Sequence, residues 1–242
     1  MLRETSMLTF PGVHVQGNPI WSSYVTSDPF GKVIFWLLFL LSIGTWVLIA
    51  YKAWTFYRVR RENQAFESSW ERLPDQPLAL EPLLSPEGSL TPFSGIYRRV
   101  RAEGLGLLQR SETLHQQARL SEADLEMIAQ SAESEIAQQA GGLEAHLYLL
   151  STATSLAPFL GLLGTVWGIL ETFTHLQGPS ASNEAILAGL STALATTVLG
   201  LVIAIPALIG YTALRQASRQ LERELERFSR NLLNALEWSY RV

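Results

Sequence analysis

The chain has 242 residues and carries 18 Lys and Arg against 22 Asp and Glu, a net charge of −4. Without a basic excess there is no support for nucleic-acid binding, and the absence of cysteine excludes disulfides, thiolate catalysis and cysteine-ligated metals. Mean hydropathy is only +0.15, but charge is missing from three long runs and dense elsewhere.

In chain order, residues 1–31 form an N-terminal segment placed outside the membrane. Val33–Tyr51 then contains no Asp, Glu, Lys, Arg or His. A helix needs about 20 mostly apolar residues to cross a hydrocarbon core of about 30 Å, so a first transmembrane helix is predicted over 32–52. A cleaved signal peptide does not fit, because the run starts far from the N-terminus and is followed by Lys52 and aromatics. Trp21, Tyr24, Trp36, Trp46, Tyr51, Trp54 and Tyr57 lie near its two ends, as interfacial anchors do.

Residues 53–146 read as a helical cytoplasmic loop. Ala53–Trp70 continues the first span as a charged, aromatic-rich helix. Pro74, Pro77, Pro82, Pro86 and Pro92 then rule out a continuous helix, giving an irregular connection over 73–92. A helix over about Phe93–Glu112 follows, weakened by Gly104 and Gly106. Ser121 and Asp124 have the spacing of a capping box. Behind them Leu125, Ile128, Ala132, Ile136, Leu143 and Leu147 repeat at helical spacing. That helix is predicted to run straight into the second span, with Gly141-Gly142 as the place for a bend.

Leu147–Leu170 and Ala185–Leu214 are the other charge-free runs. They give transmembrane helices over 147–170 and 185–214, joined by a short loop at 171–184. The third run exceeds one crossing, so it must tilt or emerge. A cytoplasmic C-terminal helix is expected over 215–242. There Arg215, Arg219, Arg223 and Arg227 form a ladder opposite an apolar stripe of Leu221, Leu225, Phe228, Leu232 and Leu236. The ladder reads first as a solvated face, and otherwise as a partner surface or a basic anchor at lipid headgroups. The stripe must bury against the Leu125–Leu143 helix or a neighbouring subunit. The fold class is thus an all-α integral membrane protein with three spans and long helical cytoplasmic extensions.

Orientation follows from Lys and Arg. Only Arg3 and Lys32 precede the first run, most of the others lie between the first and second runs, the 171–184 loop has none, and the tail is again basic. The N-terminus is therefore expected on the periplasmic side and the C-terminus in the cytoplasm.

The second run carries Ala157–Ile169, APFLGLLGTVWGI, in which Gly161, Gly164 and Gly168 share one helix face. Lipid supplies no hydrophobic drive between helices, so small residues that let backbones approach do the packing. The third run repeats the device with Ala185, Gly189, Ala193, Gly200 and Ala204. The Gly-Thr pair is no phosphate loop, because it lacks the lysine. Pro158 and Pro206 each remove a helix hydrogen bond and are expected to kink their spans, as static bends or as hinges. Thr165, Thr196 and Thr197 are the notable polar side chains. Membrane threonines commonly bond back to the i−4 carbonyl, and that is the reading the residues alone support. His14, His115, His146 and His175 are too scattered for a metal site. No catalytic constellation and no cofactor motif is present, so the chain reads as no enzyme.

APFLGLLGTVWGI and Ala193–Tyr211, ALATTVLGLVIAIPALIGY, resemble the second- and third-helix signatures of the ExbB/TolQ branch of the MotA/TolQ/ExbB proton-channel family. Segments around Thr45-Trp46 and Lys52 look similar to the family's first helix. The flagellar MotA proteins have a fourth span, which is absent here. The resemblance implies a homopentameric ring in the bacterial inner membrane, built around the transmembrane helices of an ExbD/TolR-type partner. Ring and partner would turn proton flow into mechanical work on a TonB- or TolA-like protein. It also implies that Thr165 and Thr197 line the ion path. The family's usual intramembrane glutamate falls on Thr192, so a proton-binding group in the membrane must come from the partner. The competing reading is a non-conducting membrane scaffold that anchors a partner helix, which Thr192 motivates. A solute transporter is disfavoured by the scarcity of polar residues in the spans.

Overall fold

The structure is a computed structural model that describes residues 19–70, 77–78, 91–115, 119–177 and 183–240. It consists of helices α1 (Pro19–Thr26), α2 (Pro29–Trp70), α3 (Pro92–His115), α4 (Glu122–Glu144), α5 (Leu147–Leu176) and α6 (Asn183–Tyr240), and no strand occurs among the described residues. Helices α2, α5 and α6 are long and apolar enough to cross a membrane. The protein is thus an all-α membrane protein with three spanning helices. The irregular connection expected at 73–92 lies largely outside the described residues.

The helices form two compact units. The first contains α1, α2 up to Trp46, and Thr152–Ala207 of α5 and α6. Its core is small: Ile34 and Leu38 meet Ala157, Ile203 and Ala204, with Leu41, Leu160 and Leu199 alongside. Many large apolar side chains point outward instead, among them Leu40, Phe159, Leu162, Leu194 and Val202. In water this distribution would be unfavourable; against lipid tails it costs nothing, because the tails are as apolar as the side chains.

The second unit holds the remaining described helices and has the core of a soluble protein. Leu221, Leu225, Phe228, Leu232 and Leu236 of α6 are all buried there. They meet Phe66 of α2, Phe93, Tyr97 and Val100 of α3, and Ile128, Ala132 and Ile136 of α4. Phe228 is the centre: it stacks on Phe93 at 4.6 Å between ring centroids and meets Phe66 and Trp70 edge-on. Burying such a side chain fully is worth about 1.5–3 kcal/mol, so the stripe finds its partners within the chain. On the polar face Arg227 pairs with Glu67 at 3.0 Å and Arg230 with Glu226 at 3.7 Å.

Local sequence sets the helix ends. Thr91 starts α3: its hydroxyl accepts from Ser94 N at 3.1 Å, and Pro92 fills the first helical position, where a missing N–H costs nothing. Ser121 caps α4 by accepting from Asp124 N at 3.3 Å, while Asp124 Oδ2 accepts from Ser121 N at 2.9 Å and from Ser121 Oγ at 2.7 Å.

The junction of α4 and α5 differs from the sequence expectation. The helix does not run through, and the interruption is not at the glycines, which remain helical with open space beside them. It falls at Ala145, which is extended, and His146, whose φ of 71° is left-handed. Two donors stabilise the end of α4. Ala145 N–H reaches Gly141 O at 3.0 Å, and the buried Lys52 of α2 donates from Nζ to Leu143 O at 2.9 Å. A cation at a helix C-terminus also opposes the helix dipole favourably.

The capping box gives a pH prediction. Hydrogen bonds from the Ser121 side chain and backbone hold the Asp124 carboxyl below the usual carboxylate range; slight burial opposes them and Arg110 assists. A depressed carboxylate stabilises the fold above its unfolded-state pKa of about 3.9, and that contribution is lost as pH falls through the lower folded-state value. Ser121→Ala should cost about 1 kcal/mol at neutral pH. Asp124→Asn should lower the detergent-solubilised melting temperature at pH 7, and the gap to the parent should close on acidification. A gap that stays constant down to acid pH would show that the charge contributes nothing.

Candidate functional site

In the first unit the α5 and α6 backbones touch through their glycines. A Cβ at Gly161 would stand 3.0 Å from both Thr196 O and Thr197 Cα. One at Gly164 would lie 2.6 Å from Thr196 Cβ, one at Gly168 would lie 2.8 Å from Gly189 O, and one at Gly200 would lie 2.6 Å from Ala157 O. At Gly189 it would lie 3.0 Å from Gly168 O. These positions have no room for a side chain. The close approach brings side-chain hydroxyls of one helix within reach of the other's carbonyls.

The three threonines divide by what they bond. Thr196 is fully buried and bonds back along its own helix, to Thr192 O at 3.1 Å and Ala193 O at 2.9 Å. Thr165 and Thr197 bond across. Thr197 Oγ1 lies 3.1 Å from Gly161 O of α5, and Thr165 Oγ1 lies 3.2 Å from Ala193 O of α6 and also 3.2 Å from Gly161 O one turn back on its own helix; the two hydroxyls hydrogen-bond each other and share their two protons among these acceptors. Both side chains are half-buried. A paired hydroxyl does not titrate near neutral pH, but its remaining lone pairs can hold water or a cation or accept from an acid.

Thr192 has a different setting. It is 3% exposed and lies under α1. Its Oγ1 donates to Ser23 O at 3.3 Å and lies 3.3 Å from Ser27 Oγ, while Ser23 Oγ bonds Ser191 Oγ at 2.9 Å. A short run of hydroxyls thus joins α1 to α6. Asp28, between α1 and α2, is a second junction. Its carboxylate accepts from Gly31 N at 2.8 Å at the start of α2 and from Trp167 Nε1 of α5 at 2.9 Å, and the Phe30 and Trp167 rings lie 4.2 Å apart.

Sequence reasoning did not find Ser23, Ser27 or Asp28. Asp28-Pro29 does carry a local signal, an N-cap residue before proline, but nothing local points from Asp28 to Trp167. Pro158 and Pro206 lie inside α5 and α6, which continue through them. Thr45 is 3% exposed, and its hydroxyl finds no hydrogen-bond partner among the described residues. No group of His, Asp and Glu suited to a metal occurs among the described residues.

Residues 105–227 match the sequence profile of the MotA/TolQ/ExbB proton channel family. The chain belongs to that family. It is 28% identical over 209 residues to the Tol-Pal system protein TolQ of Pseudomonas aeruginosa, covering 86% of this chain and 87% of that one. It is 26% identical over 214 residues to the biopolymer transport protein ExbB of Neisseria meningitidis serogroup A, covering 86% and 93%. With ExbB of Salmonella typhimurium the figures are 28% over 194 residues, 79% and 75%. The region matching the MotA/TolQ/ExbB family includes the glycine contacts and both cross-bonded threonines.

The contacts set a graded test. Gly200→Ala places a methyl group against a backbone carbonyl that cannot rotate away, so its melting temperature should fall. Gly44→Ala is the control, since nothing lies within 4 Å of the added carbon and alanine is the better helix former by about 1 kcal/mol. Equal effects of the two changes would show that the close approach does not hold α5 to α6.

Proposed function

We propose that the chain is the channel subunit of an inner-membrane energising complex. It forms a homopentameric ring around an ExbD/TolR-like single-span partner and passes proton-motive force to a TonB- or TolA-like protein. Membership of a proton channel family, and relatives named for the Tol-Pal system and for biopolymer transport, support this reading. The observation that carries it is the Thr165–Thr197 hydroxyl pair, bonded across two charge-free helices at a glycine-lined contact.

In this reading Thr165 and Thr197 line the ion path. They hold water and orient the carboxylate that the partner contributes, which carries the proton. Thr192 stands behind the path, with its hydroxyl turned to Ser23 and Ser27 under α1. Moving one charge through 100 mV is worth about 2.3 kcal/mol, so a few protons suffice for a conformational step. Residues 1–31 and 171–184 are periplasmic, 53–146 and 215–242 cytoplasmic. This places the soluble core of the second unit, with its basic residues, on the cytoplasmic side.

Thr165→Val and Thr197→Val keep the side-chain shape and remove the hydroxyl. Assembly should survive. Proton flux into vesicles holding the chain with its partner should fall by about tenfold or more, the effect of one lost hydrogen bond to a charged group at about 1.5–3 kcal/mol. Full flux in both variants would remove these residues from the path. An absence of flux from the parent with its partner would favour the scaffold reading, which the threonine at position 192 supports.

Topology is tested in the cysteine-free background. Gln177→Cys and Gln220→Cys, both at exposed positions, should react with an impermeant thiol reagent from opposite sides of the membrane. Reaction of both from one side would overturn the three-span arrangement.

A further inference from the structure

The first unit contains a groove beside its small core, floored in part by the core residues Leu38 and Ile203 and apart from the hydroxyl contacts above. It has a volume of about 530 Å³. Its walls are Trp21 and Tyr24 of α1, Phe35 and Phe39 of α2, and Val202 and Ile203 of α6, with Ser42 at one end. The floor is dry: Phe35 is 6% exposed and Ile203 5%. The rim is open, with Phe39, Val202 and Trp21 more than half exposed. A soluble protein would fill such a groove or hide it. Here it opens on a surface of helices that cross a membrane.

Three observations identify the occupant. The first is length: from Lys32 to Ser42 α2 advances about 15 Å, half of a hydrocarbon core of about 30 Å, so the groove's wall spans one leaflet. The second is the rim at the α1 end, where Trp21 and Tyr24 have rings 5.7 Å apart and Tyr24 meets Phe35 edge-on. Amphipathic rings of this kind sit at headgroup level. The third is charge. Lys32 lies three residues before Phe35 and seven before Phe39, on the helix face that lines the groove. It is the only Lys or Arg among the described residues of this unit, and among them its ammonium has no ion-pair or hydrogen-bond partner. An apolar slot one leaflet deep, an aromatic rim and an unpaired cation above it together match one molecule.

We propose that this groove binds one acyl chain of a membrane phospholipid in the leaflet at the α1 end, with the lipid phosphate at Lys32. The lipid lies against α1, α2 and α6 together. It packs on the Trp21 and Tyr24 face of α1, beside the face that carries Ser23, and so holds in place the helix that covers Thr192. An anionic headgroup suits the site best, because its net charge is not cancelled by an amine of its own.

The test uses the full chain, extracted in mild detergent and titrated with phosphatidylglycerol bearing two long acyl chains, with retained lipid counted by native mass spectrometry. The parent should keep one tightly held lipid per protomer. Val202→Trp fills the groove from its exposed rim, and retention should fall about tenfold, the loss from about two methylene groups without apolar partners. Phe39→Trp should act the same way and serves as the second variant if the first does not accumulate. Lys32→Gln should keep the capacity for one chain but lose the preference for phosphatidylglycerol over phosphatidylcholine. Undiminished lipid in both groove variants would overturn the proposal. So would a change in oligomer mass without a change in lipid, which would mean that a second copy covers the groove. Increased uptake after deletion of residues 1–18 would overturn it too, by showing that the chain's own N-terminal segment is the occupant.

Discussion

Backbone contact between α5 and α6 is the constraint on which the candidate site depends. In lipid there is no gain from withdrawing apolar surface from water, so two spans hold together only through close packing and polar contacts. Glycine at 161, 164, 168, 189 and 200 brings main chain against main chain. Only at that separation can Thr197 reach a carbonyl of α5 and Thr165 one of α6. The glycines and the hydroxyl pair are therefore one arrangement: a side chain at any of those glycines would meet the facing helix and force the two backbones apart.

The second unit follows the opposite rule. Its core is a knot of aromatic rings and leucines drawn from five helices, held by the hydrophobic effect. The same helix α6 contributes to both units, changing from a small-residue face with an apolar exterior to an apolar stripe with an arginine exterior. The amino-acid pattern along α6 changes as its solvent does.

Much of this was legible because it depends on local sequence. The charge-free runs mark the spans, the prolines and Ser121-Asp124 mark helix ends, and the glycine spacing marks the contacting faces. What was missed depends on distant partners or weak local signals. The helix α1 is eight residues long with a Ser-rich sequence and no periodicity strong enough to show. The glycine pair drew the expected bend to 141–142, yet the helix end is set at 145–146, where Lys52, far back in the chain, takes a carbonyl of α4. Among Thr165, Thr196 and Thr197, sequence spacing does not say which bonds along its helix and which across; only the facing glycine decides. The resemblance singles out Thr192 by its alignment with the family's glutamate, but nothing local shows that α1 covers it.

The break between α4 and α5 has a mechanical consequence. A continuous helix transmits both thrust and torque, because its ladder of hydrogen bonds resists twisting. At Ala145 and His146 that ladder is interrupted. α4 and α5 are therefore two rods joined by a short link and not one, and the link is held because Leu147 and Leu150 of α5 are buried in the same core as Ile128, Ala132 and Ile136 of α4. The Lys52 bond to Leu143 limits axial slip at the same place. The junction is a clamped joint: the hydrogen-bond ladder stops there, and side-chain packing carries the load across it.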